Sequence, residues 1–305
     1  MFVAWPSLFP GRRDSVMTEK YYRIAGLDVT LLLPADKLYT EEKELSPFST
    51  EKNLGGQLFQ FEMVDYPDPP SGKLTAVLPN MRIYETDGGS VRYHGAVKET
   101  WEKAYARGEH RGDTHHIQLK CARFPQQVRA STVVNCMAIE QMLGRAGGFI
   151  LHSAYVDWEG RGILFTAPSG TGKSTQAALW ERYRGAEVVN GDRAAVRIIG
   201  ETPMAYGIPF SGTSGISKAR ELPLTAVVYL SQSGENRLRQ LQGYEAFRAI
   251  WEGVSVNTWD RKAMERVSGT VERLVERIPV YHLACRPDEG AVEILEQALK
   301  EKKQW

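Results

Sequence analysis

Residues 151–198 read LHSAYVDWEGRGILFTAPSGTGKSTQAALWERYRGAEVVNGDRAAVRI. The β-branched and aromatic run RGILFTA (161–167) predicts a strand, and STQAALWERYRG predicts a helix closed by glycine. Between them, Ala167 to Ser174 keep the spacing G-x-x-x-x-G-K-S, with Ala167 where glycine is commoner. A strand, a glycine-rich turn and a helix, in that order, is the context in which this spacing makes a phosphate cradle. Gly170 and Gly172 let the backbone curl and aim N–H groups at phosphate oxygens, with Ser169 and Thr171 in the same turn. Lys173 sets a positive charge on the β- and γ-phosphates, and the Ser174 hydroxyl suits Mg²⁺. Thr175 and the turn after it open a helix whose N-terminus favours an anion. The expected ligands are ATP and Mg²⁺.

Two further residues join this site by position. Asp192 ends the next short strand, EVVNGD (187–192), so it should emerge beside the loop at the carboxyl edge of the sheet, where open α/β sheets bind ligands. A carboxylate there could ligate Mg²⁺ or take the proton of an attacking hydroxyl; the structural alternative is an Asp that caps the turn 190–192. His152 lies in the strand before the loop strand. If the two strands are neighbours it reaches the phosphate edge as an acid–base group; a lone strand histidine is otherwise structural.

Outward from this stretch, residues 149–305 alternate strands and helices, and 18–148 are β-rich with irregular connections. YYRIAGLDVTLLL, GQLFQFEMVDY, KLTAVLP, MRIYETD and HHIQLKCARF predict strands, 41–55 an exposed loop, and 131–145 a single helix. Residues 1–17 are expected to be an extension, with Met17 a second candidate start. The fold class is therefore mixed α/β, a β-rich N-terminal half followed by a nucleotide-binding half.

Composition limits the rest. The 305 residues carry 38 Lys+Arg against 37 Asp+Glu, a net charge of +1, which lacks the basic excess of a nucleic-acid binder. Three scattered cysteines give neither a disulfide framework nor zinc-finger spacing, so a reducing cytoplasm is expected. No apolar run is long enough for a membrane span. His110, His115 and His116 invite a metal reading, but adjacent strand residues point to opposite faces. Trp180, Trp251, Trp259 and Cys285 read as core, the middle two on helix faces.

The segment GIPFSGTSGISKAR (207–220) surrounds Phe210 with small and hydroxylated residues and ends on Lys218 and Arg220. Such a loop can bring backbone amides and two cations to phosphates, or it can be a solvated linker; Arg193 is a third cation beside Asp192.

Residues 151–198 resemble the kinase domain of HPr kinase/phosphorylase, a P-loop group that shares its fold with ATP-dependent phosphoenolpyruvate carboxykinase. His152, the loop residues Gly172, Lys173 and Ser174, and Asp192 match the family's positions. The first acidic residue of the family's pair is Gly191 here. The resemblance implies a stand-alone bacterial relative and a P-loop kinase domain over 149–305. It makes Asp192 the base toward an acceptor hydroxyl, and it admits a homo-oligomer. The acceptor is a serine of a peptide or protein, or alternatively a small hydroxylated molecule. A non-catalytic nucleotide-responsive module is the reading from a different class.

Overall fold

The computed structural model describes residues 17–35, 38–40, 43, 45–52 and 55–301. The expected extension over 1–17 therefore lies, except for Met17, outside the described residues, as do parts of the 41–55 loop. The described chain divides into two compact units, one built on Leu27–Ala138 and the other on the chain from Ile139 onward.

The first unit is a nine-stranded sheet. Its strands are β1 (Met17–Ile24), β2 (Leu27–Pro34), β4 (Ser49–Thr50), β5 (Gln57–Val64), β6 (Lys73–Leu78), β7 (Met81–Thr86), β8 (Gly89–Gly95), β9 (Ala104–Arg111) and β10 (Thr114–Lys120). They lie in the order β4-β1-β2-β5-β10-β9-β8-β7-β6. Two short strands, β3 (Leu38–Thr40) and β11 (Gln127–Arg129), pair separately. YYRIAGLDVTLLL, expected as one strand, is two, because Ala25 and Gly26 both take positive φ and turn the chain. The expected helix 131–145 is likewise two, α1 (Ala130–Cys136) and α2 (Ile139–Arg145). Ala138, at φ 51°, breaks it at the division between the units.

The second unit is organised by two long strands. They are β12 (Gly148–Trp158) and β17 (Glu221–Gln232). Around them stand β13 (Arg161–Thr166), β14 (Glu187–Asn190), β15 (Arg193–Ile199), β16 (Thr202–Gly207), β18 (Arg237–Leu241), β19 (Val254–Ser255) and β20 (Val280–Cys285). The first half of β12, up to His152, pairs with β15, and its second half, from Ser153, pairs with β13. β17 does the same, pairing first with β16 and then running parallel to β13 and β20.

Side chains of the parallel strands β13, β17 and β20 are buried on both faces, so they read as continuous apolar runs rather than alternations. One face packs Ile163, Phe165, Ala226 and Val228 on α3 (Lys173–Arg184) and α6 (Glu289–Glu301), through Ala177, Trp180, Val292 and Leu295. The other packs Leu164 and Val227 on α4 (Gly243–Trp251) and α5 (Arg261–Val275), through Ala249, Ile250, Val267 and Val271. Trp180 is fully buried edge-on to Trp158, as core. Trp251 stacks on Phe247 and is part-buried. Trp259, expected on a helix face, stands in the turn before α5 instead, because Asp260 caps that helix by accepting from the Ala263 N–H. Trp180→Ala should cost about 3–5 kcal/mol of stability in urea unfolding; a loss under about 1 kcal/mol would contradict this packing.

Candidate functional site

β13 ends at Thr166, and the chain turns through 167–172 into α3 at Lys173. Gly170 has φ 78° and Gly172 φ 121°, conformations that L side chains rarely adopt. Gly172 is also the residue before α3, and no side chain caps that helix start. Its first N–H groups are thus left for water or an anion to satisfy. Lys173 folds back over the loop, its Nζ donating to the carbonyls of Ala167 (2.9 Å) and Pro168 (3.3 Å). The residue is only 7% exposed, and burial lowers the ammonium's pKa while the Asp192 charge pulls the other way. Ser169 is exposed at the tip of the loop, Ser174 and Thr175 are exposed on the first turn of α3, and Thr171 is half-buried.

The 190–192 turn is organised by a residue that sequence reasoning missed. Asn190 is fully buried. Its side-chain oxygen accepts from the N–H groups of Asp192 (2.9 Å) and Arg193 (3.0 Å). Its amide donates to the carbonyls of Ile208 (3.1 Å) and Phe210 (2.8 Å). It therefore fixes the Asp192 backbone and ties the 208–214 segment beside it. The signal available was the Asn-Gly pair itself, a turn former whose first side chain bonds its own backbone two residues on. The approach is close: a Cβ on Gly212 would come within 2.6 Å of the Asp192 side chain, and one on Gly191 within 2.5 Å of Ser214 Oγ.

His152 arrives at Asp192 because β12 changes partners there. Its N–H donates to Gly253 O and its carbonyl accepts from Thr166 Oγ1, while the next N–H, of Ser153, donates to Asp192 O. His152 Nδ1 lies 3.4 Å from Asp192 Oδ1, and Arg193 Nε lies 3.1 Å from Asp192 Oδ2. Arg193 also lies over the Phe210 ring. Ser174 Oγ stands 3.5 Å from Gly191 O, which brings the first turn of α3 to the Asp192 turn. Burial is the main cause that lowers the His152 pKa; the Lys173 and Arg193 charges add to it, and Asp192 opposes.

The structure thus brings Lys173, Ser174, Asp192, His152 and Arg193 together. It does not bring Lys218 and Arg220 to the loop. Lys218 Nζ donates to Glu187 Oε1 (2.9 Å) and Arg220 Nη2 to Glu187 Oε2 (2.9 Å). Glu187 begins β14, whereas Asn190 ends it. The two cations hold the Glu187 carboxyl below its usual range, so they serve that strand start. Gln232, also absent from the sequence reading, places its amide 3.5 Å from the carbonyls of Gly170 and Thr171. Against the loop a cavity of about 450 Å³ opens, walled on that side by Gly170, Thr171, Gly172, Thr175 and Gln176. In the first unit, His110 and His115 face each other across β9 and β10, Nδ1 to Nδ1 at 3.0 Å. His116 points the other way, toward Glu62. Among the described residues no three His, Cys, Asp or Glu side chains cluster to hold a metal ion. No helix among them is long and apolar enough to cross a membrane.

A family model described as "SynChlorMet cassette protein ScmC" matches residues 124–300, more than half of the chain. The chain belongs to the ScmC family. The match covers the second unit from Ile139 into α6, including the loop, Asp192 and His152. No curated protein matches. Among solved structures, the Hpr(Ser) kinase/phosphatase from Coxiella burnetii is similar at 12% identity and a TM-score of 0.31. That likeness covers 51% of this chain and 99% of that one.

Two measurements check this site. The His152 imidazole should titrate by NMR below the ordinary value of about 6.5, and so be neutral at pH 7. Lys173→Met should raise its midpoint and Asp192→Asn lower it further; a midpoint at or above the ordinary value would contradict the geometry. Asn190→Ala strips partners from one buried and one part-buried carbonyl and from two N–H groups, and should cost about 2–4 kcal/mol in urea unfolding. A cost under about 0.5 kcal/mol would show that the turn does not depend on that amide.

Proposed function

We propose that the second unit is an ATP- and Mg²⁺-dependent phosphotransferase that moves the γ-phosphoryl group to a hydroxyl, a serine of a peptide or protein. The observation that carries this reading is the Asp192–His152 pair beside Lys173, at the start of α3 and the carboxyl end of β13. In it, the loop amides and Lys173 hold the β- and γ-phosphates, and the Lys173 ammonium exchanges the carbonyls of Ala167 and Pro168 for phosphate oxygens. The residues suit Mg²⁺: one hydroxyl at Ser174 and one carboxylate at Asp192 are what this ion takes when the substrate phosphates and water fill the remaining positions. The ion would supply charge neutralisation between the phosphates.

In the transfer, the bond between the γ-phosphorus and the bridging oxygen breaks, its electron pair leaving with ADP. A bond forms from the acceptor oxygen to the γ-phosphorus, and the acceptor's proton passes to Asp192. A neutral His152 within 3.4 Å of that carboxylate can take the proton on or steady the carboxylate by a hydrogen bond. Arg193 offsets charge on the other carboxylate oxygen. The Asp192 side chain is 24% exposed and that of His152 35%, so a hydroxyl carried on a peptide or protein can reach them from solvent.

The test separates binding from transfer. Lys173→Ala should weaken ATP binding at least about tenfold by calorimetry. Asp192→Asn removes a Mg²⁺ ligand as well as the base, so it should weaken ATP–Mg²⁺ binding, and it should lower transfer of label from γ-labelled ATP to a serine-peptide array at saturating ATP by about 10²–10⁴. Undiminished transfer by Asp192→Asn, or an unmoved affinity in Lys173→Ala, would overturn the reading.

A further inference from the structure

The glycine-rich loop forms one wall of the 450 Å³ cavity; the other wall includes none of the residues assigned to phosphate binding or transfer above. It is made where the parallel strands β17 and β20 end side by side, by Leu230, Gln232, Ser233, Cys285, Arg286 and Pro287. The two strand ends are fastened to each other. Ser233 N–H donates to Cys285 O, and Arg286 N–H donates to Asn236 Oδ1 at 2.9 Å. Asn236 in turn donates to Asp288 at 2.7 Å, and Asp288 Oδ2 holds the Arg286 guanidinium at 3.0 Å. The wall is therefore a built rim, not a loose pair of loops.

Its chemistry has two parts. Leu230, almost fully buried, the half-buried Cys285 and the Pro287 ring offer an apolar surface. Gln232 offers an amide with both a donor and an acceptor, Ser233 a hydroxyl, and Arg286 a guanidinium. An apolar floor with a few convergent polar groups is the usual lining of a site for a small organic molecule, and the volume falls within the usual range. The sequence places Cys285 in the core; the structure sets it against the core and also on this cavity.

We propose that this cavity receives the base and sugar of the nucleoside triphosphate whose phosphates lie in the 167–172 loop. The assignment rests on the phosphate reading above and adds to it which residues select a nucleotide over a bare polyphosphate. Gln232 links the two parts, since its amide lies 3.5 Å from two loop carbonyls and also lines the cavity. A base that engages the Gln232 amide draws it from those carbonyls, so base and phosphate binding are coupled through one side chain.

Calorimetry on the full chain with Mg²⁺, comparing ATP with inorganic tripolyphosphate, tests this. ATP should bind at least about tenfold more tightly than tripolyphosphate. Ser233→Trp, which fills the cavity from its rim, should bring ATP down to the tripolyphosphate affinity and leave tripolyphosphate unchanged. A second readout needs no variant: ATP should slow iodoacetamide alkylation of Cys285, followed by mass spectrometry at pH 9, at least about fivefold, and tripolyphosphate should not. The high pH is needed because burial and the Asp288 charge push the thiol pKa up. Equal affinity for the two ligands with unaltered alkylation would overturn the cavity assignment and leave the phosphate reading standing. Loss of both ligands alike in Ser233→Trp would also count against it. Binding of neither ligand to the unaltered chain would overturn both.

Discussion

The buried amide of Asn190 is the constraint on which the site depends. Four hydrogen bonds converge on it, two accepted and two donated, in a place with no exposure to water. Buried polar groups of this kind are costly unless fully paired, and pairing them leaves one arrangement of the surrounding backbone. Asn190 thereby sets where the Asp192 carboxylate begins and keeps the 208–214 segment so close that glycine is needed at 191 and 212. Arg193 and Phe210, which contact each other, follow from the same anchoring.

The second constraint is that β12 and β17 each serve two sets of partners. A strand that leaves one pairing and enters another has a residue at the changeover whose backbone is shared between them. In β12 that residue is His152, paired with Arg193 on one side and followed by Ser153 paired with Thr166 on the other. The changeover puts His152 beside Asp192 and at the end of the strand that leads into the glycine-rich loop. The parallel strands β13, β17 and β20 then place the loop, Gln232 and Arg286 along one carboxyl edge, where α/β sheets bind ligands. Fold and site are one consequence of strand order.

Much of this could be read from the residues. The strand, turn and helix around 161–184 have strong local signals, because glycine and apolar periodicity act over a few residues. Asp192 and His152 could be placed once β12 and β13 were taken as neighbours. What escaped depends on distant pairing. Lys218 and Arg220 looked like phosphate ligands in a loop, yet Glu187, more than thirty positions earlier, claims both. Strands β8 and β9 escaped because Arg92, His94, Arg107 and His110 break the apolar pattern. They are buried all the same, as where Arg107 is satisfied by Glu109 and the Tyr93 hydroxyl. The breaks at Ala25–Gly26 and Ala138 are positive-φ turns, two of them at alanine, which carries no turn signal.

The proposed role of the 167–172 loop and the first turn of α3 is to hold nucleotide phosphates beside Asp192. The most direct measurement is backbone amide NMR of the full chain titrated with Mg²⁺ and ATP. The amides of Gly170 through Thr175 and of Asp192 should move together, saturate at one affinity and gain protection from hydrogen exchange. Saturating ATP that leaves those amides unmoved, or that shifts others in their place, would contradict it.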